Sequence, residues 1–408
     1  MSVLRGPLAI ALLLCVAASP THAQVPVSAA QIKHIVFILK ENHTFDNYFG
    51  SLPGTDGATT GSIHTGKIVP LVRAPDDPQG DIWHTWYYAL LAMDDGKMDR
   101  FDLIKGARQF GFLYAYTQYQ PDQLPNYFAY ARQFVVGDEF FTSVHGPSFP
   151  NHLYTIAAQA GGAKDNPIFT PLSVGPWGCD SPSATRVAVI IDSRKLLVPP
   201  CFDFKTLADS LNDVGLPWKY YGVPYGTPGY IWSAFDAISH IRMGPQWATN
   251  VVDNSQFSAD AAAGNLPSVS WITTDFDDSE HPAQPPCVGE NSTVTFVNAV
   301  MQSPEWNSTV IFISWDDFGG FYDHVPPPQL DAWGLGPRVP LLIVSPFAKR
   351  GYVEHRQLEF SSVVRFIEEV YGLPFLTARD KGSTEIWDAF DFADSPQPPM
   401  VLEPRTCY

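Results

Sequence analysis

Three times along this chain a short, wholly apolar run breaks off into acidic residues. HIVFILKEN (34–42), SVSWITTDFDDSEHP (268–282) and TVIFISWDDFGG (309–320) all begin with branched and aromatic side chains. A run of that length, closed by polar residues, reads as a buried strand. Candidate strands are 35–39, 187–191, 268–273, 310–314 and 339–344. Helical patterns at 84–93, 151–160, 204–214, 291–302 and 361–371 lie between or after them. Strands alternating with helices predict an α/β sandwich around a mainly parallel sheet. No internal repeat, low-complexity tail or linker divides the chain, so residues 24–408 are expected to form one catalytic domain.

In open α/β sheets, ligands bind beyond the carboxyl ends of the strands, where loops gather distant residues. Here three strand ends would deliver Glu41 and Asn42, then Asp275, Asp277, Asp278, Glu280 and His281, then Asp316 and Asp317. Carboxylates crowded at one edge repel one another unless protons or a cation neutralise them. One divalent ion held mainly by oxygens does this well. Acids after strands are also ordinary helix caps and turn formers, which is the competing explanation for each of them singly. The pair Asp316-Asp317 followed by Gly319-Gly320 and Asp323-His324 is harder to explain by capping alone.

A candidate nucleophile is Ser148, in HGPSFPNHLY, just ahead of a predicted helix. A hydroxyl there faces free backbone N–H groups and the positive end of the helix dipole, which suits a phosphate. The alternative is a plain serine cap.

The first 23 residues carry Arg5, a short apolar stretch and a Thr-His-Ala ending, the pattern of a secretory signal peptide. Export to the periplasm or beyond is therefore expected. Cys15 falls inside that leader; the other four cysteines fit two disulfides, with Cys179 and Cys201 the natural local pair. The chain's net charge of −17 argues against nucleic acid or anionic membranes as partners, and no later stretch is long enough to span a bilayer. His64, His240 and His355 fall outside every motif and are expected to be structural or on the surface. Trp83, Trp86 and Trp315 flank candidate site residues, as core or as walls.

ENHTFDNYFG, GPSFPNHLY, DSEHP, WDDFGGFYDHVPPP and GPRVPLLIVSPFAKRGYV occur in an order that resembles the bacterial phosphoesterase family. That family holds non-specific phospholipases C and acid phosphatases. The resemblance runs from about Lys33 to Leu376 and implies an alkaline-phosphatase-like α/β/α sandwich with an active-site metal. It implies Glu41, Asn42, Asp316 and Asp317 as metal ligands, with Ser148 the nucleophile and also on the metal. His84 and His281 would contact the phosphoryl group or move protons, His281 being the favoured acid for the leaving oxygen. Asn151, His152, His43, Asp323 and His324 would bind substrate or support the site. His43 and His152 stand where many members have arginine, and histidine cannot imitate a bidentate guanidinium.

What the resemblance implies is a secreted, metal-dependent phosphoester hydrolase working through a phosphoserine. The Asp316-Asp317 pair, Ser148 and the short stretch after the last motif favour an acid-phosphatase-like phosphomonoesterase with an acidic optimum. A phospholipase C acting on phosphatidylcholine-type diesters is the alternative. A non-catalytic binding protein on the same fold is the second alternative, to be marked by loss of the nucleophile or of a ligand. The substrate is expected to be a small phosphoester or a phospholipid.

Overall fold

The computed structural model describes residues 25–78, 80–109, 111–168 and 175–407. The leader expected at 1–23 lies outside the described residues. Eight strands form the central sheet: β1 (His34–Lys40), β2 (Val135–Gly137), β3 (Trp218–Gly222), β4 (Val251–Asp253), β5 (Val269–Ile272), β6 (Thr309–Trp315), β7 (Leu341–Val344) and β8 (Tyr352–Glu354). Their spatial order is β4-β3-β5-β1-β6-β7-β2-β8. The run from β4 to β6 is parallel throughout, and β7 lies antiparallel to both β6 and β2.

β5, β6 and β7 are buried along their whole length, and β1 from Ile35 onward. Strands covered on both faces have no solvent side to alternate toward, so they read as continuous apolar runs. Seven helices matter for the site: α1 (Phe45–Phe49), α2 (Trp86–Met93), α3 (Pro125–Gln133), α4 (Ser148–Ala157), α5 (Leu207–Asp213), α6 (Pro286–Met301) and α7 (Phe360–Tyr371). One sheet face meets α4, α5 and α7: Phe37 and Phe312 stack on Phe360 and Phe366, and the Trp271 indole donates to Thr155 O. The opposite face meets α3, where Trp315 packs edge-on against Tyr127, and α6, which in turn packs against α3. The result is the three-layer α/β/α arrangement expected.

The sequence missed β2, β3, β4 and β8, which are short and mixed with glycine, lysine, aspartate or tyrosine. The run 187–191 is a strand, but it pairs with Arg194–Val198 in an antiparallel hairpin, with a single bridge to Ala163, and not with the central sheet. Its alternate residues are partly exposed, which suits a two-stranded ribbon better than a sheet centre. A smaller apolar cluster, including Ile82, Phe101, Tyr116, Phe318, Phe321 and Tyr322, packs the long 51–116 connection onto the segment that follows β6. Disulfides join Cys179 to Cys201 and Cys287 to Cys407. No helix among the described residues is long and apolar enough to cross a membrane.

Candidate active site

Register does the first part of the assembly. β1 and β6 are adjacent and parallel, with Lys40 opposite Trp315, so Glu41 and Asp316 leave the sheet side by side. The Asp316 amide donates to Lys40 O at 2.9 Å, and the Asn42 amide donates to Asp316 Oδ1 at 2.9 Å. Glu41, Asn42, Asp316 and Asp317 are all buried.

Ser148 is the first residue of α4 and makes no capping bond with its side chain. Its Oγ instead donates to Asp317 Oδ2 at 3.2 Å, which disposes of the plain-cap explanation. The preceding turn is fastened by Asn151: its Oδ1 accepts from Val144 N, and its Nδ2 donates to Gly146 O and Pro147 O. Asn151 therefore orients the serine loop rather than facing a substrate. Ser143 and Arg379 brace the same loop from outside, through Glu359 Oε2 at 2.6 Å and Ser143 O at 2.7 Å.

His152, expected to bind substrate or support the site, faces the carboxylates. Its Nε2 donates to Glu41 Oε1 at 2.9 Å and lies 3.7 Å from Asp316 Oδ2. Glu41, His152 and Asp316 thus bring three possible ligand atoms within 4.8 Å of one another. Glu41 Oε2, Asn42 Oδ1 and Asp316 Oδ2 are buried and have no hydrogen-bond partner among the described residues. Orphaned oxygens on adjacent buried side chains are costly, and a bound cation satisfies them together. The residues present therefore fit a divalent ion, with a nitrogen added to the oxygen set that was expected.

Electrostatics report the same crowding. Burial, with Asp316 and Asp317 nearby, raises Glu41 well above its ordinary value. Burial and the Asp316 charge push Asp317 up to about 8. Asp316 is held below the usual carboxylate range because the His152 bond and charge overcome its burial.

His84 lies just before α2 and donates from Nδ1 to Ile82 O at 2.7 Å. Burial opposes its charge, but Asp317 and Asp81 outweigh burial and push it up to about 9. The Asn42 side-chain Nδ2 lies 3.3 Å from Nε2 and donates to it when Nε2 carries no proton. His281 stands beside His84, ring centroids 5.8 Å apart, against Phe276 and Trp232. Burial lowers its pKa.

Other expected members are set apart. Asp275 caps the short turn at Phe276 and accepts from Gly229 N, Asp277 is exposed, and Asp278 accepts from Ser292 Oγ. Glu280 is buried below the site. His43 is sandwiched between Tyr48 and Phe321, bonded to Asn47 Oδ1 and Glu280 O, with burial lowering it to about 3. It supports the site from beneath. Asp323 and His324 join Asp46 and Arg338 at α1 instead of reaching the ligand cluster. His64, His240 and His355 pair with Asp102, Asp203 with Asp209, and Asp138. Trp315 is core, Trp86 is largely buried, and Trp83 is 47% exposed beside His84. Lys40 and Arg338 were the contributors missed; a charge inside or just before an apolar run was their only sequence signal.

A family model described as the Phosphoesterase family matches residues 32–374. Phospholipase C A of Mycobacterium tuberculosis is 25% identical over 91% of this chain and 79% of its own. Non-hemolytic phospholipase C of Pseudomonas aeruginosa is 25% identical over 92% of this chain and 59% of its own. Non-specific phospholipase C1 of Arabidopsis thaliana is 25% identical over 90% and 72%. Among solved structures, a protein in the alkaline phosphatase superfamily from Vibrio parahaemolyticus aligns with a TM-score of 0.41 and 10% identity, over 87% of this chain and 71% of its own.

Proposed function

The chain belongs to the phosphoesterase family, and from that premise we propose a phosphodiester hydrolase that works through a phosphoserine on Ser148. The observation that carries the proposal is the Ser148–Asp317 contact beside three orphaned ligand oxygens. A divalent cation bound by Glu41, Asn42, His152, Asp316 and Asp317 would neutralise those carboxylates and polarise the phosphoryl oxygens. Asp317 accepts the Ser148 proton while Oγ attacks phosphorus and the bond to the leaving alcohol breaks. His84 gives that alcohol its proton, since Asp317 and Asp81 push its pKa up to about 9, whereas burial lowers that of His281. Water then attacks the phosphoserine, His281 takes its proton and passes it to the adjacent His84, and Asp317 returns the first proton to Ser148 as the P–O bond breaks.

Charge supports a diester over the monoester favoured by sequence. A phosphomonoester carries up to two negative charges near neutral pH, its second pKa being about 6, whereas a diester carries one. Three carboxylates line the site, and a divalent cation together with a protonated His84 would no more than balance them. The nearby buried cations are engaged, Lys40 with Glu280 and Arg338 with Asp323 and Asp46. The curated relatives named above are phospholipases C, in keeping with a phosphatidylcholine-type substrate. The monoester reading keeps one observation, the adjacent Asp316-Asp317 pair with a serine, and would take its substrate as the monoanion at acidic pH. Export, with 24–408 as one catalytic unit, is consistent with two disulfides. The binding-protein alternative needs a missing nucleophile or ligand, and every such side chain is in place.

The test is a paired assay of bis-p-nitrophenyl phosphate and p-nitrophenyl phosphate, then phosphatidylcholine micelles, each with and without chelator. Chelator-sensitive preference for the diester and lipid is expected. Preference for the monoester at neutral pH would overturn the diester assignment.

A further inference from the structure

Glu280 of the DSEHP motif is fully buried, and its backbone lies in the left-handed region at φ 75°. A glutamate adopts that conformation at a cost, so the surrounding contacts must hold it there. Its Oε2 accepts from Tyr48 OH at 2.7 Å and from Trp315 Nε1 at 3.0 Å. Its Oε1 accepts from Tyr127 OH at 2.5 Å and faces Lys40 Nζ at 3.6 Å. Its carbonyl accepts from His43 Nε2 at 3.0 Å. Space for it depends on Gly289, where a Cβ would sit 2.1 Å from Glu280 Cγ.

The identity of these partners is informative. Lys40 and Trp315 are the last residues of β1 and β6, immediately before Glu41 and Asp316. His43 immediately follows Asn42, and His281 immediately follows Glu280 itself. The Glu280 side chain therefore touches the residues just before both acidic segments, while its backbone carries His43 and leads into the histidine loop. A buried ion pair seldom adds stability over an apolar pair of similar size. Its retention here is explained by geometry: it fixes how far apart three segments stand.

We propose that Glu280 is a positioning residue, holding the Glu41–Asn42, Asp316–Asp317 and His281 segments at the spacing the reaction needs. It contacts no reacting atom. The inference rests on the reading of those segments as the cation and phosphoryl site.

The test compares wild type with Glu280→Gln, both as the full mature chain, at a temperature where circular dichroism shows them folded. Manganese(II) alone is titrated into chelator-stripped protein, and kcat and KM are measured on bis-p-nitrophenyl phosphate at saturating manganese. Weaker manganese binding by about tenfold or more is expected, with kcat reduced by a similar or larger factor and KM little changed. The double variant Lys40→Met with Glu280→Gln removes the charge pair and should recover melting temperature but neither manganese affinity nor kcat. Recovery of all three together would reduce Glu280 to charge balance and overturn the proposal. Should Glu280→Gln fail to fold, Tyr127→Phe removes one donor from outside the two strands and should weaken manganese binding severalfold. Folded variants that bind and turn over as wild type does would sink the positioning role alone. A wild type that binds no manganese but still hydrolyses the diester would instead remove the cation site on which the inference rests.

Discussion

Ser148 Oγ donates to Asp317 Oδ2 across 3.2 Å, joining the start of α4 to the end of β6 although 169 residues separate them. Among the described residues no other hydroxyl donates to Glu41, Asp316 or Asp317. Ser148→Ala should lower kcat on a chromogenic diester by more than about a thousandfold, as removal of a nucleophile does. Thermal stability should stay close to wild type, because no capping bond is lost. Acid-quenched enzyme incubated with labelled substrate should carry phosphate on wild type and none on the variant; equal labelling would place the nucleophile elsewhere.

Gly319 sits at φ 58°, and a Cβ added there would meet Asn42 O at 2.3 Å and Asn42 Cβ at 2.7 Å. Gly319→Ala therefore strains its own backbone by about 1–2 kcal/mol and displaces a candidate ligand. Activity should fall by roughly ten- to a hundredfold at limiting metal, and recover in part when metal is raised. A loss that added metal leaves untouched would mean that Asn42 is not on the cation.

Away from the site, burial and the Asp380 carboxylate push Glu368 up to about 10 from its ordinary 4.5. A carboxyl with a raised folded-state pKa contributes its full stability below the unfolded value and loses it as pH climbs to the folded one. Between those limits the unfolded chain sheds a proton that the folded chain keeps. Stability from this group thus falls by up to roughly 1.4 kcal/mol per pH unit. Glu368→Gln removes the effect. Melting curves from pH 5 to 9 should show the variant gaining steadily on wild type; a constant difference would contradict the shared burial of the pair.

The Cys287–Cys407 bridge closes 120 residues and pins the C-terminal segment to α6. Arg405 adds a 2.8 Å ion pair with Glu290 and a bond from its amide to Asn291 Oδ1. Cys407→Ser should cost about 3–5 kcal/mol by the loop-closure model, read as a lowered denaturant midpoint. Activity at low temperature should persist, since neither cysteine belongs to the ligand cluster or to the Ser148–Asp317 contact.

The legible parts of this molecule were those where burial is uniform. β1, β5 and β6 could be read because both faces are covered and the apolar run is unbroken. Glu41, Asn42, Asp316 and Asp317 could be read because they interrupt such runs. The short strands β2, β3, β4 and β8 could not, since three to five residues of mixed polarity carry no clear period. Asp275, Asp277, Asp278 and Glu280 look alike in sequence. Only the fold separates a cap, an exposed acid, a serine partner and a buried tether.

By itself the sequence determined the layered α/β class, the serine ahead of a helix, and the strand ends that carry acids. These depend on local hydrophobic pattern and on residue chemistry, which are written along the chain. Tertiary structure decided which of those groups meet. Register between β1 and β6 brought Glu41 to Asp316, rotation about α4 turned His152 to the carboxylates, and Arg338 drew Asp323 and His324 away. Distances of that kind come from packing across more than a hundred residues, where no local pattern reaches.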